Sequence, residues 1–114
     1  MALVFSTSQP VSGCSLYTYD NLDTADTSPG SILSSGTAPV VGSIQVIGTF
    51  GGASVALQGS NDGTNWVAVG DRAGTTIAIT TAGGSEFSTS YVYLRPLATG
   101  GTGDDLDVFI SLRG

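Results

Sequence analysis

The sequence predicts an all-β fold, an antiparallel β-sandwich of about seven short strands, with a jelly roll as one topology open to it. Three observations carry that reading. Apolar residues alternate with polar ones in short runs, and clusters of Gly, Asp, Asn and Ser separate those runs. No window shows helical periodicity, and the abundant Gly, Ser, Thr and Val are poor helix formers. With 114 residues there is room for one domain, spanning 1–114, and one modest core.

Residues 1–13 begin with an apolar patch, Leu3-Val4-Phe5, and pass through Pro10 to Gly13. They read as an N-terminal arm that docks on a neighbouring subunit, against the plainer readings of a frayed end or an edge strand. Cys14–Tyr19 is a first strand, with Cys14 and Leu16 on one face and Tyr17 and Tyr19 on the other. Residues 20–39 lack periodicity and carry Asp20, Asp23, Asp26, Pro29, Gly30 and Gly36, so a long loop is expected there. Within it Ile32 and Leu33 anchor the middle or form a short edge strand. A loop of that length in a compact chain is usually functional or ordered by a partner.

The stretch from Ser43 to Val69 is the clearest part of the chain and reads as three strands in a meander. Ile44, Val46 and Phe50 share one side of a period-two ribbon, and Ala53, Val55 and Leu57 repeat the pattern after Gly51-Gly52. A double glycine between alternating runs signals a two-residue hairpin, because such turns need positive φ. Ser60 to Asn65 makes a longer reversal around Asp62-Gly63, suited to a type I turn closed by a left-handed glycine. Trp66 then returns over the preceding strand. Further on, Ile77 and Ile79 share a face within Thr75–Thr80. Glu86–Leu97 reads as one strand, placing Tyr91, Tyr93 and Arg95 opposite Val92 and Leu94. Pro96 marks its end or an edge position. A glycine-rich loop leads to the last strand, Leu106–Leu112, with Leu106, Val108, Ile110 and Leu112 in alternation.

Charge is scarce: 11% of residues, no lysine, and only Arg72, Arg95 and Arg113 as cations, with a mean hydropathy of +0.26. A small domain has much surface, so this exterior is either polar-neutral and exposed outside cells or covered by copies of itself or a partner. The covered surface is the favoured alternative. A net charge of −6 without a basic cluster argues against nucleic acid and against an anionic membrane. Histidine is absent, which removes the commonest general base and metal ligand. Cys14 reads as a small apolar strand residue. The first residues lack a basic region and a long apolar run, so a chain made in a cytoplasm is expected.

Candidate chemistry is thin. Asp104, Asp105 and Asp107 form the densest acidic group, yet aspartate is common in glycine-rich turns for local hydrogen-bonding reasons. The expectation is no metal and no cofactor. A Ser, Thr or Cys nucleophile has only carboxylates for a base, and Glu86 is the single glutamate, so no enzyme is expected. Trp66, Tyr91, Tyr93, Tyr17 and Tyr19 offer a sugar-stacking platform on one reading and core or subunit interface on another. Tyr91 and Tyr93 with Arg95 make a trio of the residue types that dominate interfaces.

The run Gly48-Thr-Phe-Gly-Gly-Ala-Ser-Val-Ala-Leu-Gln-Gly-Ser-Asn-Asp-Gly-Thr-Asn-Trp-Val-Ala-Val resembles small virion proteins of tailed phages, in which a strand ends in a G-S-x-D-G-x-x-W turn. Tyr91-Val-Tyr-Leu-Arg-Pro resembles their penultimate strand. The resemblance implies a virion structural protein, above all a capsid decoration (cement) protein: a homotrimer on the capsid surface, partnered by the major capsid protein. Its contact residues would be Leu3, Val4, Phe5, Ile32, Leu33, Tyr91, Tyr93 and Arg95, together with the 20–39 loop, and its structural turn Ser60, Asp62, Gly63 and Trp66. A neck, tail or fibre component is the first rival and a carbohydrate-binding module the second. Discoidin-like sugar-binding sandwiches are similar in the same four turn residues. The sialidase Asp-box is similar too, but spaces its Asp and Gly differently. In all three families these residues hold a hairpin, and so speak to fold.

Overall fold

A strand with one apolar face needs a second apolar face to cover it, and here two antiparallel sheets cover each other. The computed structural model describes residues 5–8, 14–26, 30–33 and 40–113. Among them run nine strands: β1 (Phe5–Ser8), β2 (Cys14–Leu22), β3 (Ile32–Leu33), β4 (Val40–Thr49), β5 (Ser54–Ser60), β6 (Val67–Ala68), β7 (Gly83–Thr89), β8 (Tyr93–Thr99) and β9 (Asp105–Arg113). One sheet has the order β1-β2-β9-β4-β7 and the other β3-β8-β5-β6. Two of the nine are only two residues long, which leaves the number of substantial strands at the seven expected.

With β1 set aside, β2-β9-β4-β7 lies against β3-β8-β5-β6, the strand order of a jelly roll. From β2 onward the chain changes sheet at every connection except β5 to β6. The core fills the space between, with Tyr19, Ile44, Val46, Phe87, Val108 and Ile110 from the larger sheet meeting Ile32, Val55, Leu57 and Leu94 from the smaller. Ile77 and Ile79 are buried as expected, although 75–80 forms isolated bridges to Gly70 and Val55 rather than a strand.

That alternation corrects the meander. Gly51 and Gly52 both have positive φ (56° and 88°), and the Ala53 N–H donates to the Phe50 carbonyl at 2.8 Å, so the turn itself forms as expected. It does not make a hairpin. β4 pairs with β7 and β9, whereas β5 pairs with β8 and β6, so the double glycine swings the chain from one sheet to the other. Turn chemistry sets the local path; the partners of each strand are set by which long strands can flank it.

The run from 86 to 97 also divides. β7 ends at Thr89 in the larger sheet and β8 starts at Tyr93 in the smaller one. The crossing is held by Thr89 Oγ1, which accepts the Tyr91 N–H at 3.2 Å, and by Asn61 Oδ1, which accepts the Val92 N–H at 3.2 Å. Pro96 does not end β8. It falls beyond Leu94, the last residue that β3 flanks, where proline's confinement to edges is respected.

β1 pairs with β2, Phe5 opposite Tyr19, so this part of the expected arm is an edge strand of the larger sheet. Leu3 and Val4 lie outside the described residues, as do 9–13, 27–29 and 34–39. The long loop begins later than expected, because β2 runs on to Leu22 through an irregularity at Asn21, whose φ is 62°.

Candidate functional site

The outward face of β5 and β8 carries a side-chain constellation that the core does not use. Inward residues of these strands are Val55, Leu57, Leu94 and Ala98, so alternation turns Gln58, Tyr93, Arg95 and Leu97 outward, each half-buried. Gln58 and Arg95 are direct cross-strand partners. The Arg95 Nε–H donates to Gln58 Oε1 at 2.8 Å, and the guanidinium carbon lies 4.3 Å from the centroid of the Trp66 ring. Among the described residues no carboxylate pairs with Arg95. Burial lowers its pKa from the ordinary arginine value.

Trp66 is delivered to this face by the turn before it. Asp62 Oδ1 accepts the N–H groups of Thr64 and Asn65, each at 2.8 Å, and the Ser60 hydroxyl, also at 2.8 Å. The Asn65 amide donates to Asp62 Oδ2, and Ser60 Oγ accepts the Gly63 N–H at 2.9 Å. Gly63, at φ 74°, closes the reversal beneath the Tyr93 ring. Ser60, Asp62, Gly63 and Trp66 therefore act as one unit: the first three lock the loop, and the fourth leaves it at a set angle.

The donors on Asp62, first those of Asn65 and then the Thr64 N–H and the Ser60 hydroxyl, hold its carboxyl well below the usual carboxylate range. A depressed folded value means that the turn is fully supported above the unfolded aspartate value of about 3.9 and is lost only as pH falls through the folded one. Amide hydrogen exchange at Thr64 and Asn65 is therefore expected to stay protected through pH 4 and to loosen only in stronger acid. A midpoint near the ordinary aspartate value would show that these hydrogen bonds do not hold in solution.

The expected trio does not assemble. Tyr93 and Arg95 share the outward face, but Tyr91 precedes β8, and its ring lies against Gly59 and the core. The broken strand is the cause, since alternation cannot be counted across a change of sheet. Ile32 is also corrected: at 2% exposed it belongs to this chain's own core and has no side-chain surface to offer a partner. Leu33 sits opposite Tyr93 in the β3–β8 ladder. Of the five aromatics that could make a sugar platform, Trp66 and Tyr93 share a face, whereas Tyr19 is buried and Tyr17 packs against the core. The Tyr19 hydroxyl donates to the Gly30 carbonyl, and burial pushes its pKa above the ordinary phenol value. Gln58 went unnoticed in the sequence, although its place between inward Leu57 and inward Gly59 turns it outward.

Elsewhere, a shallow groove of about 480 Å³ beside the Gly83-Gly84 backbone is lined by Ser43, Ile44, Gln45 and residues 83–86. Glu86 is its one ionisable group. Among the described residues no three His, Cys, Asp or Glu side chains are grouped to hold a metal ion.

No protein-family model matches the chain, nor does any curated protein. Among solved structures, one match is the carbohydrate-binding module of Cellvibrio mixtus lichenase 5A in complex with cellotriose. It is 15% identical, with a TM-score of 0.33, over 98% of this chain and 86% of that one. A likeness at that level carries no function across.

Proposed function

We propose that this chain is a structural protein of a tailed-phage virion, a capsid decoration (cement) protein that attaches to the major capsid protein at the capsid surface as a homotrimer. The observation that carries this reading is the outward face of the smaller sheet. It combines Trp66, Tyr93 and an oriented guanidinium, residue types enriched in interface centres, with half-buried Leu97, and among the described residues no carboxylate is paired with the guanidinium. Exposed Val41, Ile47, Val67 and Val92 add apolar area to a surface already poor in charge. Multivalent attachment through a symmetric oligomer turns modest contacts into stable occupancy. The tailed-phage likeness of the 48–69 run supports the setting, within which a neck, tail or fibre position is the neighbouring alternative.

A second reading, a carbohydrate-binding module, is favoured by Trp66 and Tyr93 on one face with Gln58 and Arg95 as polar neighbours. Jelly rolls serve in viral capsid and lectin domains alike, so the fold suits both. Light scattering on the purified chain, followed by co-sedimentation with empty phage heads, separates them. The expected result is an oligomer that pellets with heads. A monomer that ignores heads and binds a glycan array would reverse the order.

A further inference from the structure

Charge is distributed unevenly along this jelly roll. β9 begins at Asp105 and ends at Arg113, and β8 runs from Tyr93 and Arg95 towards the 100–104 loop. The 20–26 segment is tied to that same loop by Thr24, whose N–H and hydroxyl both donate to Asp104. Six of the chain's nine acidic residues, Asp20, Asp23, Asp26, Asp104, Asp105 and Asp107, thus gather at one end of the sandwich. Four of them are engaged inside the molecule: Asp23, Asp26, Asp104 and Asp107 accept hydrogen bonds from the chain itself. Asp20 and Asp105 are exposed, and among the described residues neither makes a side-chain hydrogen bond.

Arg95 is the reciprocal case. Its Nε–H is committed to Gln58 and one guanidinium face to Trp66, which fixes the plane of the group and leaves the two terminal nitrogens for an acceptor. A planar fork held in this way suits a carboxylate, which it meets with two parallel hydrogen bonds. The half-buried setting strengthens such a bond relative to one in open water.

We propose that Arg95, oriented by Trp66 and Gln58, is a carboxylate-binding site for the acidic end of a second copy of this chain, where Asp20 and Asp105 are the exposed acceptors. The contact is head to face. Each copy presents the arginine on one surface and the carboxylates on another, so the interface is heterologous and closes into a ring when the rotation allows. It names one contact within the oligomer of the proposed function, and rests on that reading only for the biological setting. Charge complementarity selects this occupant: in a chain of net charge −6 a second copy is attracted where its acidic end meets an arginine. Among the described residues Arg95 is the arginine whose guanidinium is held in place by a hydrogen bond and an aromatic ring.

The test is a charge exchange in the full chain, read by sedimentation velocity at low salt. Wild type is expected to associate, and added salt to weaken association as surface charge is screened. Arg95→Glu alone, and Asp20→Arg with Asp105→Arg, are each expected to weaken self-association by roughly tenfold or more. An equimolar mixture of the two variants is expected to associate again into mixed pairs, because both contacts between unlike copies are complementary, whereas a closed trimer of the two keeps one repulsive contact between like copies. Circular dichroism of each variant keeps loss of fold apart from loss of contact. Wild type that stays monomeric overturns the proposal, as does an acidic-end variant that associates like wild type, or a mixture that stays apart. Co-sedimentation of the same variants with phage heads distinguishes the two readings. Head binding without self-association sinks this contact alone, and self-association without head binding sinks the virion reading alone.

Discussion

A Phe87→Ala variant is expected to lose about 3–5 kcal/mol of stability, the usual cost of emptying a fully buried phenylalanine site. Against the roughly 5–15 kcal/mol that holds a domain of this size folded, that is a large share. Phe87 is 0% exposed and lies opposite Gly42 in the β4–β7 ladder. A Cβ built on Gly42 would sit 2.9 Å from the tip of the Phe87 ring, so the aromatic side chain occupies the space that a residue at 42 would otherwise fill. The same Cβ would collide with the Ser111 carbonyl oxygen of β9 on the other flank. β4 is therefore held at a close approach from both sides, and Gly42→Ala is expected to cost about 1–3 kcal/mol through overpacking. Combining the two changes discriminates between the flanks. Removing the ring frees one side but leaves the β9 carbonyl in place, so the double variant is expected to remain less stable than Phe87→Ala alone. Urea denaturation of the four proteins checks this. If the double variant recovers stability, the ring rather than β9 limits residue 42, and the account of β4 is wrong.

The inward faces were legible because a strand's alternation is local. Ile44 and Val46, Val55 and Leu57, and the series Leu106, Val108, Ile110 and Leu112 all reach the core as their spacing required. What the spacing could not carry was which strands pair. Gly51-Gly52 has the same local signature whether it closes a hairpin or crosses between sheets, and only the flanking strands of a jelly roll decide. One run of apolar and aromatic residues across 86–97 concealed a second crossing, and with it the true direction of Tyr91. The candidate site was half visible for the same reason. Trp66, Tyr93 and Arg95 could be picked out by residue type, and the Asp62 turn by its motif. Gln58 could not, since its role arises from facing Arg95 in the β5–β8 register, across 37 residues of chain.

Asp104 shows the same limit most plainly and supports the second large expected effect. In sequence it is a turn aspartate whose bonds should be local. In the fold it is 9% exposed, and its Oδ2 accepts both the N–H and the hydroxyl of Thr24 at 2.9 Å, 80 positions away. The Thr24 oxygen in turn accepts the Gly101 N–H at 3.1 Å, so one carboxylate joins the 20–26 segment to the loop between β8 and β9. Asp104→Ala strands the Thr24 donors and is expected to cost about 2–3 kcal/mol, in the range for hydrogen bonds to a charged acceptor in a sheltered place. The loss should be local before it is global: amides of Thr24 and Gly101 exchange faster, and a protease cuts within 20–26 while the β-sandwich persists. Asp104→Asn separates the causes. Its carbonyl oxygen can still accept from Thr24, so it should recover part of the loss if hydrogen bonding dominates, and little if the charge does. An alanine variant with unchanged melting and a protected Thr24 amide would mean that this carboxylate holds nothing together.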